Sequence, residues 1–348
     1  MSCSIAVDGL ETSVSAEPGD TILDALLMAG VGFPYSCQAG NCGTCKCELL
    51  SGEVFELEYS EHALAPTQRA RNIVLACRSQ VWSDVRIRRL VEEDLIVHPS
   101  RVMRCRVTAL DRLTHDIWRL RLDIESGGPY TFSAGQYASI EFPFAPGLPR
   151  DYSMANRPDE SVLEFHIREM PQGAVSAGLG AKVKRGDTVR VSGPLGSAYL
   201  REAHAGPVIA IAGGSGLAPI RSILSTMRLR GGGASVHAYL GVRSERDVYG
   251  EAELEALVGE LRASRVHVVL SDASSSSANP TRKRRIGLVT DAVNEDFDRL
   301  DGFVAYLAGP PPMVEAAVTL LESKGVARRD IHADAFYPAG LAGRARDV

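Results

Sequence analysis

The 348-residue chain lacks several features that would assign it to common functional classes. It has no uninterrupted apolar run approaching the roughly 20 residues that a membrane-spanning helix needs, so we expect no membrane partner. Its first residues show neither the basic region nor the apolar region of a secretory signal. The formal net charge of −5 leaves no positive excess, which argues against a nucleic-acid partner.

Histidine is scarce, with 8 residues, and none lies in the Cys-x-His plus Cys-x2-His arrangement of a Rieske cluster. We also find no two-histidine, one-carboxylate pattern of the kind that holds mononuclear iron. His166 and His332 fall in predicted strands, where a core or surface position is expected rather than a metal-ligand role. Iron sites of these two kinds are used to activate oxygen, so we expect this chain not to oxygenate an organic substrate itself and any such chemistry to belong to another protein.

Cysteine is more informative, because four of the seven form a recognisable pattern. Cys37, Cys42 and Cys45 have the Cys-x4-Cys-x2-Cys spacing, with Cys77 farther along the chain, which is typical of a plant-type [2Fe–2S] cluster. Gly40 and Gly43 suit a loop that wraps such a cluster, since glycine accepts positive φ and lets backbone N–H groups approach sulfur. The alternatives are four buried cysteines or a zinc site, but zinc usually takes paired Cys-x2-Cys units.

The other three cysteines, Cys3, Cys47 and Cys105, make no disulfide framework. We interpret Cys47, two residues after a predicted ligand, as a small buried hydrophobe rather than a fifth ligand. Free thiols together with a cluster predict a reducing, cytoplasmic environment.

The hydrophobic patterns predict a multi-domain chain with three domains, at residues 1–92, 101–203 and 204–348. The first domain is predicted to be a small α+β unit whose helix begins at Asp20 or Thr21, with Asp20 as a reasonable cap. Short alternating segments in the second predict an antiparallel β-barrel. Strands alternating with helices in the third predict an α/β domain with a doubly wound parallel sheet.

Two motifs in the second domain could contact a nucleotide-like cofactor. Arg150 and Tyr152 alternate along a predicted strand that continues to Ser153, so the arginine could meet a pyrophosphate while the tyrosine packs on a flat ring. The segment Gly173, Ala174, Val175 and Ser176 could open a helix whose N–H groups face an anion. In the third domain Gly213, Gly214 and Gly216 form a glycine turn between the first strand and helix, although not the strict dinucleotide fingerprint.

Taken in this order, the cysteine pattern, Arg150-x-Tyr-Ser and the glycine turn resemble ferredoxin–NAD(P)H reductase-type flavoproteins that carry an N-terminal plant-type (β-grasp) ferredoxin. The resemblance implies that Arg150, Tyr152, Ser153 and Gly173 to Ser176 bind FAD. It implies that the glycine turn, with the segment containing Gly309, Pro311 and Met313, binds the nicotinamide nucleotide. It also implies that Phe336 stacks on the flavin where the nicotinamide must arrive. The expected catalytic residues are Phe336, Tyr152 and Ser153.

Three further segments, Gly193–Arg201, Gly241–Ser244 and His332–Pro338, resemble the reductase components of bacterial ring-hydroxylating dioxygenases, of the naphthalene dioxygenase reductase type. The implied activity takes hydride from NADH onto FAD and passes single electrons to the [2Fe–2S] cluster. The implied partner is a Rieske-type ferredoxin or the terminal oxygenase. Many relatives have a cysteine where this chain has Ala308, so no thiol role in hydride transfer is expected.

Two alternatives remain open at this point: a reductase component of a diiron monooxygenase, and a redox-sensing flavo-iron-sulfur protein that does not turn over. The resemblance favours NADH, with NADPH tolerated. A 2′-phosphate would need cations near the second strand; Arg243 and Arg246 are there, but Glu245 and Asp247 alternate with them. The basic run at 282–285 is expected to be a solvated loop, with a docking patch for an acidic ferredoxin as the sharper hypothesis.

Overall fold

The computed structural model describes residues 2–11, 13–61, 63–90, 96–231, 234–259, 264–272 and 284–337. These residues form two compact units, one comprising the chain up to Pro99 together with Tyr337, the other Ser100–Phe336. Within the described ranges, no helix has the length and apolar character needed to cross a membrane.

The first unit is a mixed sheet with one helix packed against it, as the β-grasp prediction requires. Its elements are β1 (Cys3–Val7), β2 (Val14–Ala16), α1 (Ile22–Met28), β3 (Lys46–Ser51), β4 (Val54–Glu56), α2 (Pro66–Arg69), β5 (Ile73–Leu75), β6 (Ser79–Val81) and β7 (Val85–Arg89). The sheet order is β2-β1-β7-β3-β5, with β1 and β7 parallel, while β4 and β6 form a separate pair. Helix α1 buries Ile22, Leu23 and Leu26 in the core.

The predicted cap of α1 is wrong by one residue. Thr21 is the N-cap, and its hydroxyl accepts a hydrogen bond from the backbone N–H of Asp24 at 3.1 Å. The Asp20 carboxylate instead accepts from the backbone N–H of Glu17 at 2.8 Å. Because Asp20 already satisfies the preceding turn, the next residue with a side-chain oxygen takes the capping role.

The second unit begins with the predicted antiparallel barrel. Its elements are β8 (Arg101–Arg112), β9 (Ile117–Ser126), β10 (Tyr137–Glu141), β11 (Arg150–Ser153), β12 (Val162–Arg168), α3 (Leu179–Lys182) and β13 (Thr188–Leu195). The sheet order is β11-β10-β13-β8-β9-β12, and a bridge between Met154 and Phe165 brings its two edge strands together. The sheet is therefore a nearly closed barrel.

The second unit continues into the predicted doubly wound parallel sheet. Its elements are β14 (Val208–Gly213), α4 (Leu217–Leu229), β15 (Val236–Val242), α5 (Glu251–Gly259), β16 (Arg265–Leu270), β17 (Arg285–Ile286), α6 (Val289–Asp296), β18 (Val304–Gly309), α7 (Pro311–Ser323) and β19 (Ile331–Ala335). The order is β17-β16-β15-β14-β18-β19, with every pair parallel. The order reverses between β14 and β18, and ligands of such sheets bind beyond the carboxyl ends of the strands at this switch point.

Candidate functional site

The four cysteines of the predicted cluster site lie together in the first unit. The Sγ atoms of Cys45 and Cys77 are 3.3 Å apart although the residues are 32 positions apart in sequence. The backbone N–H groups of Ala39, Asn41 and Cys42 point at Cys37 Sγ, at 3.5, 3.4 and 3.4 Å. The loop therefore surrounds a sulfur atom with N–H donors, which favours a thiolate.

Glycine is required at both predicted positions of this loop. Gly40 and Gly43 have φ of 74° and 70°. A Cβ at Gly40 would lie 2.7 Å from Tyr59 Cβ, and one at Gly43 would lie 2.6 Å from the Ala63 carbonyl oxygen. Both positions thus combine a left-handed backbone with a close neighbour, so the path of the loop depends on them.

The electrostatics of the sulfur atoms fit a cationic group. The hydrogen bond from the Cys37 thiol lowers the pKa of Cys42 to about 6, and the reverse effect raises the pKa of Cys37. Hydrogen bonding with Cys77, followed by burial, raises the pKa of Cys45. These sulfurs cannot all be thiolates unless positive charge lies between them, and iron supplies that charge.

Two neighbouring side chains agree with this interpretation. The side-chain Nδ2 of Asn41 is buried without a hydrogen-bond partner among the described residues. Such a donor is costly unless a bound group supplies an acceptor, and a cluster is rich in acceptor sulfur. Cys47 is completely buried in the core of the unit, as expected for a small hydrophobe. The residues present therefore fit a [2Fe–2S] cluster held by Cys37, Cys42, Cys45 and Cys77.

In the second unit, the predicted flavin-binding strand is connected to the last strand of the parallel sheet. Ser153, at the end of β11, donates a hydrogen bond from Oγ to Asp334 Oδ2 on β19 at 2.9 Å. Both side chains are buried, with 7% and 8% exposed. Tyr152 packs against the barrel core, and burial raises the pKa of its hydroxyl. Sequence reasoning missed Asp334; its only signal was an acidic residue in a mostly buried strand, two residues before Phe336.

The segment Gly173 to Ser176 leads into a short helical stretch, as predicted. Ser176 begins a 3-10 turn that continues into α3, and its Oγ accepts a hydrogen bond from the backbone N–H of Met170 at 3.1 Å. Gly173 lies against this hydroxyl, and a Cβ there would collide with it. The hydroxyl of Ser176 therefore holds the turn closed, and Ala174 and Val175 lie between Gly173 and this serine.

The glycine turn and the Gly309 segment meet at the switch point of the parallel sheet. A Cβ at Gly216 would overlap the carbonyl oxygen of Ala308, and one at Gly309 would lie 2.9 Å from the Cα of Gly213. Met313, on α7 beyond Pro311, closes the other side, since its Sδ would be 2.7 Å from a Cβ on Gly213. Gly214 has φ of 54° and open space at its Cβ position. The exposed backbone of this turn is suited to a pyrophosphate.

Phe336 is held at the same edge of the sheet. Its backbone N–H donates to the Gly309 carbonyl oxygen at 2.9 Å, and its ring packs partly buried against the core of the parallel sheet. Strand β19 therefore connects Ser153 and Asp334 with Phe336 and the segment at Gly309. The Ser153–Asp334 pair and the exposed backbone of the glycine turn fit a flavin next to a nicotinamide nucleotide.

The structure corrects the expectation for the basic run at 282–285. Arg284 has a side chain only 9% exposed and forms ion pairs with Glu245 and Glu251. Arg285 lies in β17 and pairs with Glu295 and Asp296. These two arginines are thus engaged within the protein, while positions 282 and 283 lie outside the described residues. A docking patch made of four free charges is therefore wrong.

We expect Arg284→Ala to destabilise the second unit, because it removes the buried guanidinium that pairs with the carboxylates of Glu245 and Glu251. The free energy of unfolding should fall by roughly 3 kcal/mol, the lower end for breaking a buried ion pair, since Glu245 is partly exposed. The matched control is Arg285→Ala, whose more exposed ion pairs predict a loss below about 1 kcal/mol. Thermal unfolding of the two variants measures the difference, and equal melting temperatures would contradict it.

The two histidines singled out from the sequence are core residues, as predicted. His166 is buried, with Nε2 3.2 Å from Glu164 Oε1 and Nδ1 3.2 Å from the Tyr249 hydroxyl. Burial lowers the pKa of His166. Burial also lowers the pKa of His332, which stacks on Tyr306, in this case to about 3. Both imidazoles are therefore neutral packing groups near neutral pH.

Comparison with known proteins agrees with these sites. Three family descriptions match the chain: a 2Fe-2S iron-sulfur cluster binding domain at residues 5–81, an oxidoreductase FAD-binding domain at 104–215 and an oxidoreductase NAD-binding domain at 210–319. The boundaries of the three domains themselves stay a prediction.

Whole-chain relatives have the same organisation. The chain is 41% identical, over 97% of its length and 99% of the relative, to the ferredoxin–NAD(P)+ reductase component of the naphthalene 1,2-dioxygenase/salicylate 5-hydroxylase systems of Ralstonia sp.. It is 38% identical, over 93% and 95%, to the corresponding component of the naphthalene 1,2-dioxygenase system of Pseudomonas putida. The crystal structure of the Amycolatopsis cytochrome P450 reductase GcoB superposes with a TM-score of 0.81 at 36% identity, covering 97% and 99% of the chains.

The site geometry and these relatives agree on the cofactors, which are a [2Fe–2S] cluster, FAD and NAD(H). The protein is an NAD(P)H-dependent flavoprotein oxidoreductase that transfers electrons. The chain therefore belongs to the family of ferredoxin–NAD(P)+ reductase components, in which an iron–sulfur domain is joined to FAD- and NAD-binding domains.

Proposed function

We propose that this protein is the cytoplasmic reductase component of an aromatic-ring dioxygenase system. It would oxidise NADH and deliver single electrons to a Rieske-type ferredoxin or directly to the terminal oxygenase. The observation that carries the proposal is that one chain holds both kinds of site. The first unit brings four cysteines together, and the second contains the Ser153–Asp334 contact and the glycine turn. The match to the Ralstonia and Pseudomonas components supports the choice of client. Free buried thiols such as Cys47 and Cys105 support a reducing compartment.

Each proposed site residue has a role set by its position. Arg150 would offer its guanidinium to the FAD phosphates, Tyr152 would pack on the flavin, and Ser176 would hold the turn that covers the pyrophosphate. The glycine turn, Pro311 and Met313 would cradle the nicotinamide nucleotide, and Phe336 would occupy the nicotinamide position when no nucleotide is bound. Bound FAD supplies the chemistry that converts a two-electron hydride donor into single electrons. Ser153 and Asp334 orient the reacting edge and exclude water from it.

Anaerobic stopped-flow mixing with NADH tests the proposal. We expect rapid loss of flavin absorbance followed by loss of the cluster absorbance, as required for turnover. Slow or absent bleaching would contradict a reductase and favour a redox sensor. The client is then tested by comparing the rate at which the NADH-reduced protein reduces a purified Rieske ferredoxin, a cytochrome P450 and a diiron hydroxylase. The proposal requires the Rieske protein to be reduced fastest.

A second candidate client is a monooxygenase rather than a ring dioxygenase. The observation that favours it is the match to the Amycolatopsis cytochrome P450 reductase, whose whole length the chain covers at 36% identity. This alternative keeps the cofactors and the residue roles and changes only the electron acceptor. The same acceptor comparison separates the two, because it would then favour the P450 or the diiron protein.

Replacing Phe336 should tighten nucleotide binding. The ring competes with the nicotinamide for one position, and an aromatic stacking contact is worth about 0.5–1.5 kcal/mol. We therefore expect Phe336→Ala to lower the Kd of NAD+ by up to roughly tenfold, with slower turnover because release of the product becomes slower. Titration of NAD+ into the oxidised protein measures the Kd. Phe336→Tyr, which keeps the ring, is the control, and an unchanged or weaker Kd in the alanine variant would contradict the proposed competition.

The pairing of the carboxylates near Arg243 supports tolerance of NADPH. Glu245 is neutralised by Arg284, and Asp247 accepts a hydrogen bond from the backbone N–H of Ser244 at 2.9 Å. Arg243 and Arg246 are both exposed beyond β15, and the charge of the neighbouring Glu245 is balanced by Arg284. These cations lie where a ribose 2′-phosphate would be bound in such a sheet.

We expect Arg243→Ala to reduce kcat/KM for NADPH by roughly tenfold or more, since a hydrogen bond to a charged group contributes about 1.5–3 kcal/mol. The value for NADH should change much less, because NADH has no 2′-phosphate. Steady-state kinetics with both nucleotides make the comparison. Arg265→Ala, at the opposite end of the sheet where β16 begins, is the matched control. Equal losses with both nucleotides would show that Arg243 does not contact this phosphate.

A further inference from the structure

The hydroxyl of Tyr337 makes a hydrogen bond to the cluster-binding loop. Tyr337 belongs to the same compact unit as the chain up to Pro99, and its Oη donates to the backbone carbonyl oxygen of Asn41 at 3.1 Å. Asn41 lies between two cluster ligands, Cys37 and Cys42, which are separated by the x4 spacing. The tyrosine therefore contacts the backbone of the loop that carries these ligands.

The contacted carbonyl shares a peptide group with a donor to sulfur. The Asn41 carbonyl and the Cys42 N–H belong to one amide, and that N–H points at Cys37 Sγ at 3.4 Å. A hydrogen bond accepted by an amide oxygen draws electron density toward it and makes the amide N–H a stronger donor. The hydroxyl, the Asn41–Cys42 amide and the sulfur thus form one polarised chain ending on a ligand atom.

Donors to ligand sulfur affect the two oxidation states of a cluster differently. One-electron reduction adds a negative charge that is shared with the sulfur ligands, so an N–H donor stabilises the reduced form more than the oxidised form. Hydrogen bonds to the sulfurs are one of the factors that set the reduction potential of such clusters. Stronger donation by the Cys42 amide therefore raises the potential.

We propose that Tyr337 is a tuning residue for the [2Fe–2S] cluster, raising its midpoint potential through the Asn41–Cys42 peptide group. This role requires only the hydrogen bond to the loop and no contact with the flavin or a nucleotide. The effect makes the cluster a better acceptor of the electron and a slightly weaker donor to the next protein. Tyr337 is not one of the four predicted cluster ligands, so binding of the cluster alone gives its hydroxyl no function.

The test is the midpoint potential of the cluster in full-length holoprotein, measured by a redox titration followed by EPR. Tyr337→Phe removes only the hydroxyl and should lower the equilibrium constant for cluster reduction by about three- to tenfold, roughly 30–60 mV for a one-electron couple. Tyr59→Phe is the matched control. Tyr59 packs against Gly40 in the same loop, but its hydroxyl interacts with Glu56 and Arg69, so its removal should leave the potential unchanged.

The EPR signal arises only from molecules that carry a cluster, so the measurement holds even if the variant loses part of its iron. A Tyr337→Phe potential equal to that of the wild type would overturn the proposal. So would an equal shift in Tyr59→Phe, since that would indicate general loosening of the loop rather than polarisation of one amide. Tyr337→Ala separates packing from hydrogen bonding, because the proposal requires it to lower the potential by the same amount as the phenylalanine variant.

Discussion

Cys77→Ser should abolish electron delivery to one-electron acceptors while NADH still reduces the flavin. Cys77 Sγ lies 3.3 Å from Cys45 Sγ and supplies the one ligand from outside the loop, so its loss opens the cluster site. The rate of cytochrome c reduction should fall by more than the roughly 100-fold that loss of a supporting group alone can cost a metal site. Reduction of ferricyanide, which can accept electrons directly from a flavin, should be retained. Both rates are measured with NADH on the same preparation.

The matched control is Cys47→Ala. Cys47 is buried, like the ligands Cys45 and Cys77, and lies two residues after Cys45, but its thiol is packed among apolar side chains. We expect this variant to keep its iron, its acid-labile sulfide and its cytochrome c activity. If Cys47→Ala lost the cluster while Cys77→Ser retained it, the ligand assignment would be wrong. Zinc in place of iron in the wild-type protein would be equally decisive against it.

The second large effect is expected at the buried contact between the barrel and the last strand. Ser153→Ala removes a donor from the Asp334 carboxylate, which is 8% exposed, and removing one partner of such a contact costs about 1–3 kcal/mol. We expect this stabilisation to be lost in the transition state for hydride transfer, so kcat for NADH oxidation should drop by roughly 10- to 100-fold. The KM for NADH should change little, because neither group is placed on the nucleotide cradle.

Three further variants test whether the effect is specific to the Ser153–Asp334 hydrogen bond. Ser153→Thr keeps a hydroxyl and should restore most of the rate, whereas Asp334→Asn should resemble the alanine variant. Ser222→Ala removes another buried serine hydroxyl, which donates to the Asn156 carbonyl oxygen within the same unit, and should leave kcat within about twofold. The rate of flavin bleaching in single-turnover mixing is the decisive readout. A Ser153→Ala protein with full flavin content and wild-type bleaching would remove the proposed role.

The sequence predicted those parts of the molecule that depend on local spacing. The cysteine triplet, the glycine turn and the alternation of Arg150 with Tyr152 are set by neighbours within a few residues, so the structure contains the predicted local elements. Strand β14 at Val208–Gly213, for example, runs directly into the predicted glycine turn, and Arg150 and Tyr152 lie on strand β11. The error at the α1 cap has the same local origin, since Asp20 and Thr21 compete for two adjacent turns.

What the sequence did not predict depends on contacts between distant residues. Ser153 and Asp334 are 181 positions apart, so no pattern along the chain announces their hydrogen bond. Arg284 was interpreted as part of a free basic run because its partners Glu251 and Glu245 lie 33 and 39 residues away. In both cases the residue type is plain from the sequence, whereas only the fold determines which partner the side chain meets.

The mutual contact of Gly213, Gly216 and Gly309 limits how this reductase could be re-engineered. At two of these positions the obstacle to a side chain is main-chain atoms, which no second-site change of residue type can remove. Libraries that randomise Gly216 and Gly309 should therefore return glycine whatever nucleotide is used for selection. Evolution toward a different hydride donor would have to proceed outside this turn, for example at Arg243 directly after β15, and leave the glycines unchanged.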